Sequence, residues 1–329
     1  MSGQARPNAT LLVVLGPTGT GKSRAALEVA RLLRGEIVGC DAYQVYCGLD
    51  AATGKPPAEF RRAVPHHLVD HVDPRTDFSM ADYVRAAEDA IHAIAGRGHV
   101  PLVVGGNGLY LRGLLRGVLK APPRDPELRA RLHRIIDKGG APRLWTWLAR
   151  RDPDTARRLG PGDVQRLVRA IELARGDGAN WSERLKQAGT WTSGQERYRT
   201  LKIGLDMARE LHHERIDRRV DGFFAAGVVA EVERLLRQEV PREANAFKAI
   251  GYREVLRALE RGRDPESVRE EVRKNTRGYA KRQRTWFRAE PGVVWLDAAE
   301  PPSAIGRRVV ELWRDLECAD GRSNCVSPG

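Results

Sequence analysis

Residues Thr10–Ser23 read TLLVVLGPTGTGKS, and the reading of this stretch decides the fold. Thr10–Leu15 is short, continuous and β-rich, the pattern of a buried strand. It runs straight into Gly16-Pro17-Thr18-Gly19-Thr20-Gly21-Lys22-Ser23, which satisfies G-x-x-x-x-G-K-[ST]. Arg24–Leu33 (RAALEVARLL) then places apolar residues at helical spacing. Strand, glycine loop, helix is the context in which this pattern binds a di- or triphosphate. Glycines let the backbone curl until successive N–H groups face one anion. The helix N-terminus adds positive potential. Lys22 offers a full charge to the outer phosphate, and Ser23 offers a hydroxyl to Mg2+. Gly16 to Ser23 are therefore the expected diphosphate-binding residues, with Ser23 as the metal contact.

Further along the chain, Glu36–Gly39, Val100–Val104, Thr200–Leu205 and Val293–Leu296 read as strands. Ser79–Ala95, Leu211–Arg237, Ala246–Arg261 and Val268–Arg288 read as helices. Strands alternating with helices predict an α/β fold, a parallel sheet with helices on both faces. Pro122, Pro123 and Pro126 punctuate a change of composition, after which residues 124–200 look helical, basic and rich in tryptophan (Trp145, Trp147, Trp181, Trp191). The predicted organisation is a core from 1–117, an inserted helical domain at 118–200, a second part of the core with basic helices at 201–317, and a frayed tail at 318–329. An insertion between sheet elements can sit over the open end of the strands, where ligands bind in such sheets.

The 329 residues carry a formal charge of +13, unevenly spread. Residues 118–200 hold 18 Lys+Arg against 10 Asp+Glu. Arg273–Arg288 (RKNTRGYAKRQRTWFR) holds seven basic residues, no acid, and Tyr279, Trp286 and Phe287. Basic stretches interleaved with aromatics suit a polyanion with stackable bases, although each could also be a solvated helix face with its aromatics turned inward. The apolar runs, such as Leu11–Leu15, are strand-length, whereas a membrane span needs about 18 residues. The start, MSGQARPNAT, has no apolar signal core, so a cytoplasmic protein without membrane contact is expected. Cys40, Cys47, Cys318 and Cys325 are too scattered for a disulfide framework or a four-ligand zinc site and read as free thiols.

Asp41 follows the second strand, where it can reach the phosphate site as a metal partner or a general base; it can also cap a turn. Nucleotide-hydrolysing proteins commonly place a carboxylate after another strand to hold Mg2+. Here Pro101–Val104 ends in Gly105-Gly106-Asn107 instead, and Asn107 can project an amide toward the phosphates. Gly48 and Gly54 flank a loop ending in Lys55-Pro56. His66, His67 and His71 lack a suitably spaced fourth ligand and read as structural or surface residues. Arg215 and Arg219 are four apart on a helix, hence on one face, and can clamp a leaving diphosphate or pair with nearby acids such as Glu214 and Asp217.

Several spaced blocks then resemble one family, the bacterial tRNA dimethylallyltransferases (tRNA isopentenyltransferases): GPTGTGKS at 16–23, DAYQVYCGLDAATGKP at 41–56, HHLVDHVDP at 66–74, VVGGNGLYLRGLL at 103–115, DVQRLVRAIEL at 163–173, FKAIGYRE at 247–254 and YAKRQRTWFR at 279–288. The resemblance implies transfer of a dimethylallyl group from dimethylallyl diphosphate to N6 of adenosine 37, beside the tRNA anticodon, with Mg2+ and without ATP hydrolysis. It implies Asp41 as proton acceptor, with Lys22, Asn107, Arg215 and Arg219 also catalytic. It implies tRNA contacts from Asp41, Ala42, Tyr43, Gln44, Asn107, Gln165, Arg166, Leu167, Val168, Arg169, Lys281 and Arg282, and from the Ala246–Gly251 stretch. The chain would act as a monomer. It departs from the family at Asn107 (usually Thr), Ala42 (usually Ser), Cys47 (usually Arg) and Gly160-Pro161-Gly162 (usually His-Pro-Asn). The alternatives are an adenylate isopentenyltransferase acting on free nucleotide, a P-loop small-molecule kinase, and an RNA-binding protein with a vestigial donor site.

Overall fold

In the computed structural model, residues 9–119, 121–122, 125–175, 180–187 and 195–319 are described. Six strands form one parallel sheet: β1 (Thr10–Leu15), β2 (Gly35–Cys40), β3 (His66–His67), β4 (Val100–Gly105), β5 (Arg199–Asp206) and β6 (Val293–Asp297), in the order β3-β2-β4-β1-β5-β6. Leu11 to Leu15 are buried without alternation, because helices cover both faces of a parallel sheet. α1 (Lys22–Leu33) packs Ala25, Val29 and Ala30 on one face, together with Ile305, Val309 and Trp313 from near the end of the chain; Tyr83, Ala87 and Ile91 of α3 (Met80–Gly96) pack on the other. α2 (Ala58–Ala63) is a short exposed helix, and α4 (Gly108–Arg116) follows β4.

The register fixes the site. Leu15 of β1 pairs with Gly105 of β4, and Gly105 pairs with Cys40 of β2. Three neighbouring strands therefore end at one level, so Gly16, Asp41 and Gly106 leave the sheet along the same edge.

The chain divides into two compact units, residues 1–115 with 197–329, and residues 116–196. Within the second unit, α5 (Pro126–Asp137), α6 (Ala141–Arg151), α7 (Pro153–Arg158), α8 (Val164–Arg175) and α9 (Trp181–Gln187) enclose their own core. Trp145, Trp147 and Trp181 pack against that core, and the Trp145 Nε1–H donates to the Ala156 carbonyl at 3.1 Å. Trp191 lies outside the described residues. Leu167 and Val168 are fully buried there, which corrects their expected place in an RNA contact. Five consecutive helical residues cannot share one face: Gln165 and Arg166 are exposed, while Leu167 and Val168 point inward. Arg169 pairs with the buried Glu172 and donates to the Pro122 carbonyl at 2.9 Å, so its guanidinium is held within this unit.

Four further helices complete the first unit: α10 (Arg209–Ala225), α11 (Val228–Arg237), α12 (Tyr252–Glu260) and α13 (Arg269–Arg288), followed by α14 (Pro302–Cys318) after β6. The single helix expected over Leu211–Arg237 is thus two, broken at Gly227. Ala246–Arg261 is likewise a 3-10 turn (Asn245–Lys248) and a helix, and Val268 closes a 3-10 turn before α13. Helix α14 runs to Cys318, so the expected tail starts later, and residues 320–329 lie outside the described residues. Cys40 and Cys47 are free, as expected. Cys318 is disulfide-bonded, which corrects the free-thiol reading for it. No helix among the described residues is long and apolar enough to cross a membrane.

At the opposite edge of the sheet, Glu36 forms a buried hub. Its carboxylate accepts from His67 Nε2 (2.7 Å), His99 Nδ1 (2.7 Å), and Arg97 Nε (3.0 Å) and Nη2 (2.7 Å). Burial favours the neutral acid, but the hydrogen bonds from Arg97, His67 and His99 outweigh it and hold the pKa at about 2. The hub ties the starts of β2, β3 and β4 together, away from the strand ends that form the site. The adjacent histidines therefore serve the sheet, and among the described residues no His/Cys/Asp/Glu cluster could hold a metal ion. Glu36→Ala is expected to lower stability by about 1–2 kcal/mol, because it removes the buried acceptor shared by Arg97, His67 and His99. The wild-type contribution should be full above the carboxyl's unfolded pKa and fade as pH falls toward 2. Urea unfolding at pH 7 and pH 3 measures both; an unchanged midpoint at pH 7 would contradict the hub.

Candidate active site

The cradle begins where β1 meets the end of β5. A Cβ at Gly16 would overlap the Leu205 carbonyl oxygen, and φ there is +146°, so only glycine allows the chain to leave the sheet this way. Thr20 is buried and its hydroxyl donates to the Pro17 carbonyl at 2.9 Å, closing the back of the loop. Gly16, Pro17 and Thr20 thus form the rear of the cradle, whereas Thr18, Gly19, Gly21, Lys22 and Ser23 line a pocket of about 630 Å³. The opposite wall carries Asp41, Tyr43 and Gln44 after β2, Gly105 and Gly106 after β4, and Arg219 of α10. Lys248, Ala249, Ile250, Arg253, Asn275, Tyr279 and Arg282 line it too.

Asp41 both caps a turn and faces the pocket. Its Oδ1 accepts from the Tyr43 N–H (2.8 Å) and the Gln44 N–H (3.2 Å), which fixes the side chain. Among the described residues no hydrogen bond engages Oδ2. Gln44 Nε2 in turn donates to the Thr53 and Gly54 carbonyls, at 3.2 and 3.0 Å, and folds the 53–56 loop against the site. Gly54 has φ +68°, and a Cβ there would overlap the Arg219 guanidinium.

The pocket concentrates unneutralised positive charge. Burial, reinforced by nearby Arg219 and opposed by Asp41, pushes the Lys22 ammonium down to a pKa of about 7. Its Nζ donates to the Pro17 carbonyl at 2.7 Å. Arg219 forms no ion pair among the described residues, its Nε is buried without a partner, and its guanidinium stands over the Phe223 ring at 5.4 Å. Burial lowers its affinity for the proton, with Asp41 acting the other way. Burial and then Asp41 raise the Tyr43 hydroxyl to about 12 and shift Tyr279 upward in the same sense.

Some expected members lie elsewhere. Arg215 shares a helix face with Arg219 but sits one turn earlier; it donates to the Ala298 carbonyl at 3.1 Å and does not line the pocket. Asn107 stands just before α4, where its Oδ1 accepts from the Tyr110 N–H at 3.2 Å. Both Asn and Thr make good helix N-caps, so capping explains Asn107, which is not a lining residue. Ala42 packs on the core cluster around Tyr83 and Val84, and Lys281 is exposed outside the pocket wall.

Other residues escaped the sequence reading. Gln283 is buried, accepts from the Thr18 N–H at 2.8 Å and donates to the Gly106 carbonyl at 2.7 Å. His212 Nδ1 faces Arg284 Nη2 at 3.1 Å. Since arginine only donates, Nδ1 accepts, and Nε2 carries the hydrogen that goes to the Thr18 carbonyl at 2.7 Å. Arg284 is itself anchored on Asp206, at the end of β5. No local motif marks these contacts.

A parallel sheet whose inner strand opens into a phosphate cradle, beside a fixed carboxylate and the buried cations of Lys22 and Arg219, defines a P-loop enzyme site for an anionic substrate. The chain belongs to the IPP transferase family, whose model matches residues 44–290. It is 44% identical over 295 residues to tRNA dimethylallyltransferase 1 of Trichlorobacter lovleyi, covering 90% of this chain and 96% of that protein. It is also 44% identical to the tRNA dimethylallyltransferase of Anaeromyxobacter dehalogenans, over 91% and 98% of the two chains. The full-length tRNA isopentenylpyrophosphate transferase of Bacillus halodurans superposes with a TM-score of 0.70 at 31% identity, covering 95% of this chain and 100% of that one. A eukaryotic dimethylallyltransferase acting on tRNA superposes with a TM-score of 0.78 at 25% identity, over 97% and 81%. The protein is thus an enzyme of the tRNA prenyltransferase class.

With burial holding Lys22 near 7, a bound diphosphate should restore its charge. Binding at pH 8 is expected to take up a proton, and affinity to fall as pH rises above about 7. Calorimetry of dimethylallyl diphosphate binding in buffers of different ionisation enthalpy measures the uptake. Lys22→Arg should lose it, and equal uptake in that variant would assign the proton elsewhere.

Proposed function

We propose that this chain transfers the dimethylallyl group of dimethylallyl diphosphate to N6 of adenosine 37 in the anticodon loop of tRNA, releasing diphosphate. The observation that carries this reading is the juxtaposition of Asp41, the cradle and Arg219 around one pocket. An exocyclic amine is a weak nucleophile, because its lone pair is delocalised into the ring. As the N6–C1 bond forms, the C1–O bond to diphosphate breaks and N6 must lose a proton. Asp41, fixed through Oδ1, takes that proton on its other oxygen. The departing diphosphate gathers negative charge where the amides of Gly19, Gly21 and Lys22, the Lys22 ammonium and Arg219 await it.

Magnesium fits the donor set. Ser23 lines the pocket beside Lys22, and Asp41 is a carboxylate on the facing wall. Mg2+ keeps several waters and takes one or two protein oxygens plus substrate phosphate oxygens. When bound, it would supply charge to the diphosphate, with Ser23 as its protein contact.

The lining that carries Lys248, Arg253 and Arg282 as well as Tyr43 and Tyr279 suits a nucleotide with its phosphates attached. Exposed Gln165 and Arg166 of the second unit are the further RNA contacts in this reading, and the resemblance carries Lys281 with them. The enzyme acts in the cytoplasm as a monomer. A free-nucleotide prenyltransferase has less use for the excess of 18 basic over 10 acidic residues in 118–200.

Labelled dimethylallyl diphosphate, Mg2+ and an anticodon stem-loop carrying A or G at position 37 form the test. Label should enter the A37 stem-loop alone; transfer to AMP but not to RNA would favour the free-nucleotide enzyme. Asp41→Asn keeps the turn-capping oxygen but removes the base, and kcat should fall by about 100-fold or more. Its stem-loop affinity should stay within about threefold, since Oδ1's two amide bonds survive. A wild-type rate would remove Asp41 from the proton transfer.

A further inference from the structure

Thr18 opens the cradle, yet its backbone groups are not free for an anion. Its N–H is taken by Gln283 and its carbonyl by His212. We infer that Gln283 is a positioning residue for the donor: it staples the phosphate loop to the end of β4 and thereby sets the cradle's shape before the diphosphate arrives.

The geometry is specific. The side-chain amide of Gln283 spans Thr18 and Gly106 with bonds of 2.8 and 2.7 Å, and it is 5% exposed. One partner can only donate and the other can only accept, so the amide has a single satisfied orientation. The loop amides that face an anion are like dipoles crowded together, which an empty loop relieves by opening. Two bonds from the buried Gln283 of α13 oppose that opening. Gly106 is fitted to the staple, since a Cβ there would overlap Gln283 Nε2. The same helix lines the pocket with Asn275, Tyr279 and Arg282, but among the described residues no hydrogen bond joins those side chains to the phosphate loop. Losing the staple therefore harms donor binding and spares RNA binding. This rests on the reading of the cradle as the diphosphate site.

Gln283→Met keeps the volume and removes both bonds. Calorimetry with inorganic pyrophosphate and Mg2+ should show Kd rising about tenfold, and KM for dimethylallyl diphosphate rising in parallel. Kd for the stem-loop should stay within about twofold, because its contacts lie elsewhere on α13. Gly106→Ala presses on the same amide from the strand side and should reproduce the donor-specific defect, so the inference does not depend on one variant folding. Wild-type pyrophosphate affinity in both variants overturns the inference, as does a stem-loop loss equal to the pyrophosphate loss. Absence of pyrophosphate binding by the unaltered protein would instead overturn the donor reading, and this inference with it.

Discussion

The site hangs from the alignment of three parallel strand ends. Leu15, Gly105 and Cys40 sit at one level of the ladder, so the residues that follow them leave together. A slip of one residue between β2 and β4 would turn every side chain of β2 to the other face. Asp41 would then leave its place beside the cradle. The continuous burial of Leu11 to Leu15 and the Glu36 hub at the far edge protect this register, although neither touches the pocket.

On that frame the protein builds electrostatic tension. A buried Lys22 and a partnerless Arg219 share a pocket in which Asp41 is their opposing charge. Isolated buried cations cost free energy that only an anion recovers. This is the preorganised arrangement that stabilises charge developing on a leaving group, because the donors need no reorganisation when it departs. Asp41 is kept apart from this task by its own turn, whose two amide bonds orient it toward an acceptor.

Much of this was legible in the residues. The strand–loop–helix pattern at 10–33 and the carboxylate after the second strand are local signals, and local spacing encodes them directly. What escaped depends on distance in the chain. Gln283 meets Thr18 across 265 positions, and no short pattern marks such a pair. Arg215 and Arg219 share a face, but one helical turn separates a pocket residue from one bound to Ala298. Asn107 is explained by helix capping, a competing demand on the same amide. Leu167 and Val168 show that a contiguous block on a helix divides between core and solvent by its own period.

The central claim is that the cradle takes the leaving group of a prenyl donor and not a nucleoside triphosphate. A crystal structure of the protein soaked with equal concentrations of dimethylallyl diphosphate and ATP, with Mg2+, tests it most directly. The account predicts diphosphate density on Gly19 to Ser23 with its branched tail directed toward Asp41. Adenine nucleotide in that cradle, with the isoprenoid excluded, would contradict it.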